Sequence, residues 1–278
     1  MRHMLRLFSM LSRSFLKIGL LVFVLLPVFW MVSTSLRLPE DLFTRPPMLW
    51  PSRATLGSYK FLFSQTLMPR YFLNSFVIAA CTMLLTIAVA APAAYSLTRL
   101  IQRGRSAIMM ATLATYVFPP ILLFLPLYLT FTHLGLAQTP ISVVIAHCTF
   151  TVPFCLWFLT TFFKQIPLEL EEAAMVDGAT RLTTLARVVI PLAAPGIFSS
   201  GIFAFILSWN EYLYASVLLT GRANRMYTVG IYDFIAQFDV NWGAIMAAAT
   251  IGAIPVITFF SLIQKYFVQG LTAGALKG

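Results

Sequence analysis

The sequence is short of charge. Only 10% of its 278 residues are Asp, Glu, Lys or Arg, nine of them acidic, while 59% are apolar. Soluble domains average about 25% charged and about 45–50% apolar. So few charges cannot screen that much apolar surface from water, which excludes a water-soluble globule. Disorder is excluded too, because disordered chains are rich in charge and poor in apolar residues. Cysteine is scarce: Cys81, Cys148 and Cys155 sit inside apolar runs, lack metal-ligand spacing and cannot all pair, so they read as small buried apolar residues. The three histidines, His3, His133 and His147, include no pair at zinc spacing, and no metal site is expected. None of the lysines (Lys17, Lys60, Lys164, Lys265, Lys277) follows a glycine turn as Gly-Lys-Ser or Gly-Lys-Thr, so the chain has no nucleotide site of its own. No Ser-His-Asp or paired-carboxylate arrangement points to catalysis.

Long apolar runs are what the sequence has in abundance. Its mean hydropathy is +0.86, which with the composition indicates an integral membrane protein. Six stretches reach the roughly 20 residues a helix needs to cross a bilayer: Ile18–Leu36, Phe72–Thr98, Ser106–Thr130, Ile141–Phe163, Ile197–Leu219 and Gly243–Ile263. Barrel strands would be about 10 residues of alternating polarity, which these are not. The first run has a basic leader (Arg2, Arg6, Arg13, Lys17) but no Ala-x-Ala-like site after it, so it is expected to stay as an uncleaved helix. The whole chain, 1–278, reads as a single membrane domain.

The net charge of +10 belongs with a membrane rather than a nucleic acid, because cytoplasmic loops carry excess Lys and Arg. With both termini inside, twelve basic residues fall on the inner segments and seven on the outer loops. Arg99, Arg103 and Arg105 read as an inner anchor of this kind. The spans hold one acid, Glu211, one histidine, His147, and no Lys or Arg. A proton- or ion-driven transporter usually buries several ionisable groups, so a stand-alone secondary transporter or channel for a small polar solute is the weaker alternative. His147 reads as a hydrogen-bonding residue of helix packing. Prolines 27, 92, 119, 120, 126, 153 and 255 fall in the spans and read as ordinary kinks.

The segment from about 164 to 196 carries the most information. Pro167 suits a first helical position. Glu169, Glu171 and Glu172 crowd the following turn, where the helix dipole favours anions. Gly178 suits the left-handed stop. A second helix follows, with Leu182, Leu185, Ala186 and Val189 at helical spacing, ended by Pro191 and Pro195. Ala173 and Ala174 let another surface approach closely, and the carboxylates offer partners to arginine. This pattern fits a docking helix, or a plain amphipathic connector with a solvated acidic face.

Glu172-Ala173-Ala174, three residues, Gly178, nine residues, then Val188-Val189-Ile190-Pro191 resembles the EAA loop of ABC importer permeases, whose pattern ends Ile-x-Leu-Pro. Asp177-Gly178-Ala179, Trp209-Asn210-Glu211-Tyr212 and the ending Gln269–Gly278 are similar to the maltose-type carbohydrate permeases. The resemblance implies an all-α fold of six transmembrane helices with type I importer architecture and a cytoplasmic coupling helix between spans four and five. It implies a multi-pass protein of a bacterial or archaeal cell membrane. Its partners would be a second, homologous permease, two copies of a cytoplasmic ATP-binding subunit, and an extracytoplasmic solute-binding protein; ATP and Mg would be bound by the ATPase and not by this chain. Glu171, Glu172, Ala173, Ala174, Asp177 and Gly178 would form the coupling contact, with Glu172 meeting a basic group and Gly178 permitting the turn. The C-terminal tail, Gly270–Gly278, would extend toward the same ATPase interface. Trp209, Asn210, Glu211 and Tyr212 would either line the translocation path, offering a ring face and hydrogen bonds to a sugar, or brace the helices with Glu211 paired to the second permease. The first outer loop, rich in proline and basic residues, is expected to meet the binding protein, the partner permease or lipid headgroups.

Overall fold

The computed structural model describes residues 2–46, 48–101, 103–235 and 240–275, and side chains only for 14–264 of these. The described residues are helical, without strands. Their contacts group into two compact units.

The first unit holds residues up to 69 together with 231–253. Helix α1 (Arg2–Ser35) contains an apolar stretch of membrane length, Ser14–Ser35, whose side chains Phe15–Phe29 are largely exposed. Its end is buried and polar. Ser33 Oγ donates to the Leu49 carbonyl (2.7 Å), and Ser35 Oγ lies 2.7 Å from the Tyr59 hydroxyl of α2 (Gly57–Gln65). Arg37 stacks over Trp30 at 4.6 Å and donates to the Met48 carbonyl. The proline-rich segment after α1 therefore buries its first arginine, Arg37.

The second unit holds residues 70–230 and 254 onward. It is built around α3 (Met68–Tyr95, continued by a π turn Ser96–Leu100), α6 (Pro140–Phe163) and α10 (Ala194–Trp209). Small residues let these helices close on one another, as membrane helices require. Ala90, Ala91 and Ala94 pack in one cluster with Cys155, Leu159 and Ala204. Gly196 admits no side chain, because an added Cβ would lie 2.5 Å from Phe162 Cγ. Buried hydroxyls bond across the same helices: Thr86 Oγ1 lies 2.7 Å from Thr151 Oγ1, and Ser208 Oγ donates to Thr82 Oγ1 at 3.3 Å. Around this core lie α4 (Arg105–Val117), α5 (Pro120–His133), α7 (Leu168–Val176), α8 (Arg181–Thr184), α9 (Ile190–Leu192), α11 (Leu213–Leu218) and α12 (Tyr227–Ile231). Helix α13 (Trp242–Ala275) closes the chain. The tail motif Gln269–Gly278 lies outside the described side chains.

Four helical stretches among the described residues are long and apolar enough to cross a membrane: Ser14–Ser35, Met68–Leu100, Pro140–Phe163 and Trp242–Gln264. They agree with the first, second, fourth and sixth expected spans to within a few residues. The third and fifth are not the single helices expected. The third is two helices, α4 and α5, bent by 93°. Proline forces its preceding residue out of the helical region; Phe118 and Pro119 accordingly adopt ψ 129° and 122°, and Pro120 starts the next helix. These two prolines stop a helix instead of kinking it. The fifth stops at Trp209 and resumes at Leu213. Its upstream partner, the helical path Arg181–Leu192, meets α10 at a 78° bend. That path does not end at Pro191 as expected. It widens into a π turn, Leu185–Val189, where the Ile190 amide bonds the Leu185 carbonyl, and the bend falls at Ala193.

Candidate functional site

The loop between α6 and α10 folds as a short helix, a glycine turn and a second helix. Helix α7 begins at Leu168 with Pro167 as its N-cap, one residue later than the sequence pattern suggests. Gly178 has φ +90°, the left-handed conformation that glycine adopts without steric cost. Its amide donates to the Met175 carbonyl at 3.1 Å, and the Ala179 amide donates to the Ala174 carbonyl at 3.0 Å. These are the two hydrogen bonds of a Schellman stop. Thr180 then caps α8, accepting from the Thr183 amide. The expected turn is present in full.

The three acids of α7 do not share one solvated face. Glu171 is 2% exposed. Its Oε1 accepts from Arg99 Nε at 2.6 Å, and its Oε2 accepts from the Tyr95 hydroxyl at 3.0 Å. Arg99 also donates through Nη2 to the carbonyls of Phe163 (3.1 Å) and Ile166 (2.6 Å). Glu171 is thus an internal anchor and not an outward carboxylate, and Arg99, which the sequence marks only as an inner basic anchor, is its partner. The π turn at Ser96–Leu100 carries Arg99 to this position. Glu172, Ala173 and Asp177 are exposed, and Ala174 is half-buried. Beside them the apolar side chains point out: Leu168 (47% exposed), Leu170, Met175, Val176 (87%) and Leu182 (80%). The ordinary pattern of a surface helix is inverted here, with the acid inside and the hydrophobes outside.

The second candidate set lies at the break between α10 and α11. Trp209 is 3% exposed, stacked with Phe205 (5.9 Å) and Phe72 (6.4 Å) and tilted against Tyr227 (4.8 Å). Asn210 is exposed; its Oδ1 accepts from the Tyr227 hydroxyl at 3.1 Å. Burial pushes that phenol up to about 12, so it remains a donor throughout the physiological range. Glu211 caps the new helix, accepting from the amides of Tyr214 (2.9 Å) and Ala215 (3.1 Å). It also accepts from His147 Nε2 at 3.1 Å, while His147 Nδ1 lies 2.7 Å from Ser208 Oγ. Glu211 thus has partners within its own chain. His147 is the packing residue the sequence indicated. Tyr212 is exposed. Of the four residues, Trp209 is buried and Glu211 half-buried, while Asn210 and Tyr212 are exposed.

Sequence reasoning missed Tyr95 and Arg99 at the first site, and Ser208 and Thr82 at the second. Nothing in their spacing signals a partner some 50–130 residues away.

Residues 87–273 match the family described as the binding-protein-dependent transport system inner membrane component. The chain belongs to this family. It is 37% identical over 259 residues to the sulfoquinovosyl glycerol transport system permease protein SmoH of Agrobacterium fabrum, covering 93% of this chain and 91% of that one. It is 36% identical to the trehalose/maltose transport system permease protein MalG of Thermococcus litoralis, with 97% and 99% covered. In fold it resembles a chain of a bacterial ABC transporter involved in alginate import, at a TM-score of 0.80 and 24% identity, with 94% and 97% covered. This permease is therefore a multi-pass membrane subunit of an ABC importer. It is not an enzyme, and ATP hydrolysis belongs to separate subunits.

Proposed function

We propose that this permease, acting as one domain over its whole length, forms half of a translocation path for a sugar or sugar derivative. A second, homologous permease supplies the other half, and an extracytoplasmic binding protein delivers the solute. Two copies of an ATP-hydrolysing subunit bind ATP and Mg and sit beneath the pair. Both termini face the cytoplasm, and the membrane is the cell membrane of a bacterium or archaeon. The relatives named for glycosides, among them a diacetylchitobiose uptake permease of Streptomyces coelicolor, support the solute class.

The observation that carries the reading is the outward face of α7 and its turn. Leu170, Val176 and Leu182 stand exposed beside Glu172 and Asp177. An apolar patch rimmed by charge marks a protein–protein surface. ATP-driven closure of the ATPase pair would draw two such helices together and switch the helix packing between inward- and outward-open states. Contacts that differ between nucleotide states are what make such coupling possible. In the complete importer, a photo-crosslinker placed at Ala173 is expected to capture the ATP-hydrolysing subunit. Failure to capture it while uptake proceeds normally overturns the assignment.

A further inference from the structure

A coupling helix can work only if its displacement reaches the transmembrane helices. Helix α7 is short and ends in a glycine turn, so its backbone connection alone is a soft lever. The stiff connection is lateral. Glu171 ties the helix to Arg99 and Tyr95 at the end of α3. The Arg99 guanidinium spans three partners at once: the Glu171 carboxylate, the carbonyl of Phe163 that ends α6, and the carbonyl of Ile166 just beyond it. All three lie within 3.1 Å, and Arg99 and Glu171 expose only 13% and 3% of their side chains.

We propose that Arg99 is a positioning residue for coupling: through Glu171 it locks α7 to α3 and α6 so that the three move as one body when the ATPase moves. The inference deepens the proposed function and rests on α7 being the coupling helix. Further along α3, about 20–26 Å away at 1.5 Å per residue, Thr86 bonds Thr151 of α6 and Thr82 accepts from Ser208 of α10. Ser208 in turn touches His147, which bonds Glu211 at the helix break. A push on Glu171 is thereby shared by α3, α6 and α10. Guanidinium suits this post because its planar fork reaches several acceptors at fixed angles, which an ammonium cannot do.

The test uses the whole complex in liposomes, with the permease pair, ATPase and binding protein present. It measures solute transported per ATP hydrolysed, ATPase co-purification and membrane abundance. Arg99→Lys keeps the charge and loses the fork; Glu171→Gln keeps the shape and loses the charge; Tyr95→Phe removes one hydroxyl. We expect co-purification and abundance to change less than about twofold. Solute moved per ATP should fall on the order of 5–150-fold in Arg99→Lys and Glu171→Gln, the usual span of coupling energies, and less in Tyr95→Phe. If uptake falls only in step with abundance and the ratio stays at the wild-type value, Arg99 is merely structural and the proposal is overturned. An unchanged ratio at unchanged abundance overturns it equally. If instead the unaltered complex imports without spending ATP, the coupling reading itself has failed.

Discussion

At the scale of single residues, two glycines are required for different reasons. Gly178 sits at φ +90°, and a Cβ added there would meet nothing within 4 Å, so only the backbone objects to a side chain. Gly178→Val should cost about 1–2 kcal/mol in the turn, enough to abolish uptake while the protein remains in the membrane. Gly178→Asn should retain more activity, since asparagine tolerates the left-handed region. Uptake assays normalised to membrane abundance distinguish the two. Gly196 has the opposite problem: its backbone is ordinary and the Phe162 ring fills its space. Gly196→Ala should destabilise by about 1–3 kcal/mol, read as a lowered Tm in detergent, and Phe162→Leu should recover part of the loss. The role of Gly178 was legible in the sequence because a glycine after a helix is a local signal. The role of Gly196 was not, because its constraint comes from a side chain 34 positions away.

Elements were legible to the extent that hydropathy and local spacing determine them. Apolar length located the helices of the first, second, fourth and sixth spans, but it measures how much chain can sit in lipid and not whether that chain is straight. The Pro119-Pro120 stop and the Glu211 break both fall inside runs that average as one span. At the second break the carboxylate of Glu211 serves as the cap of α11 and the acceptor for His147. Glu211→Gln should therefore act on the joint between α10 and α11: a loss of about 0.5–2 kcal/mol, as for other caps, with the order of preferred solutes unchanged. Thermal unfolding and competition uptake check the two halves of that statement. A selective loss of one solute at unchanged stability would instead return Glu211 to the path. The inward turn of Glu171 escaped the sequence for a physical reason. Periodicity assigns apolar residues to the inside of a surface helix, and α7 reverses that assignment, as the proposed ATPase contact on its exposed side requires.

For the whole molecule, the division of the described residues into four membrane-length helices and two bent pairs frames what topology experiments should find. Tags at both ends should be cleaved by protease from the cytoplasmic side alone, and a label at the Glu172 position should share that side. Accessibility of either terminus from outside would invert the scheme. Uptake should require ATP inside the vesicle and the binding protein outside it, and mixing this permease with the ATPase alone should give hydrolysis without net solute movement.

The greasy flank of α7 and α8, with Val176 and Leu182 almost bare, has a further consequence for the living cell. On the proposed docking of α7, a copy synthesised without the ATPase would leave this sticky surface uncovered, the kind of feature chaperones and proteases recognise. Surplus subunits should be short-lived. Pulse-chase turnover in a strain lacking the ATPase gene should be faster than in its parent, and replacing Val176 and Leu182 with serine should lengthen the orphan's lifetime while crippling the assembled importer.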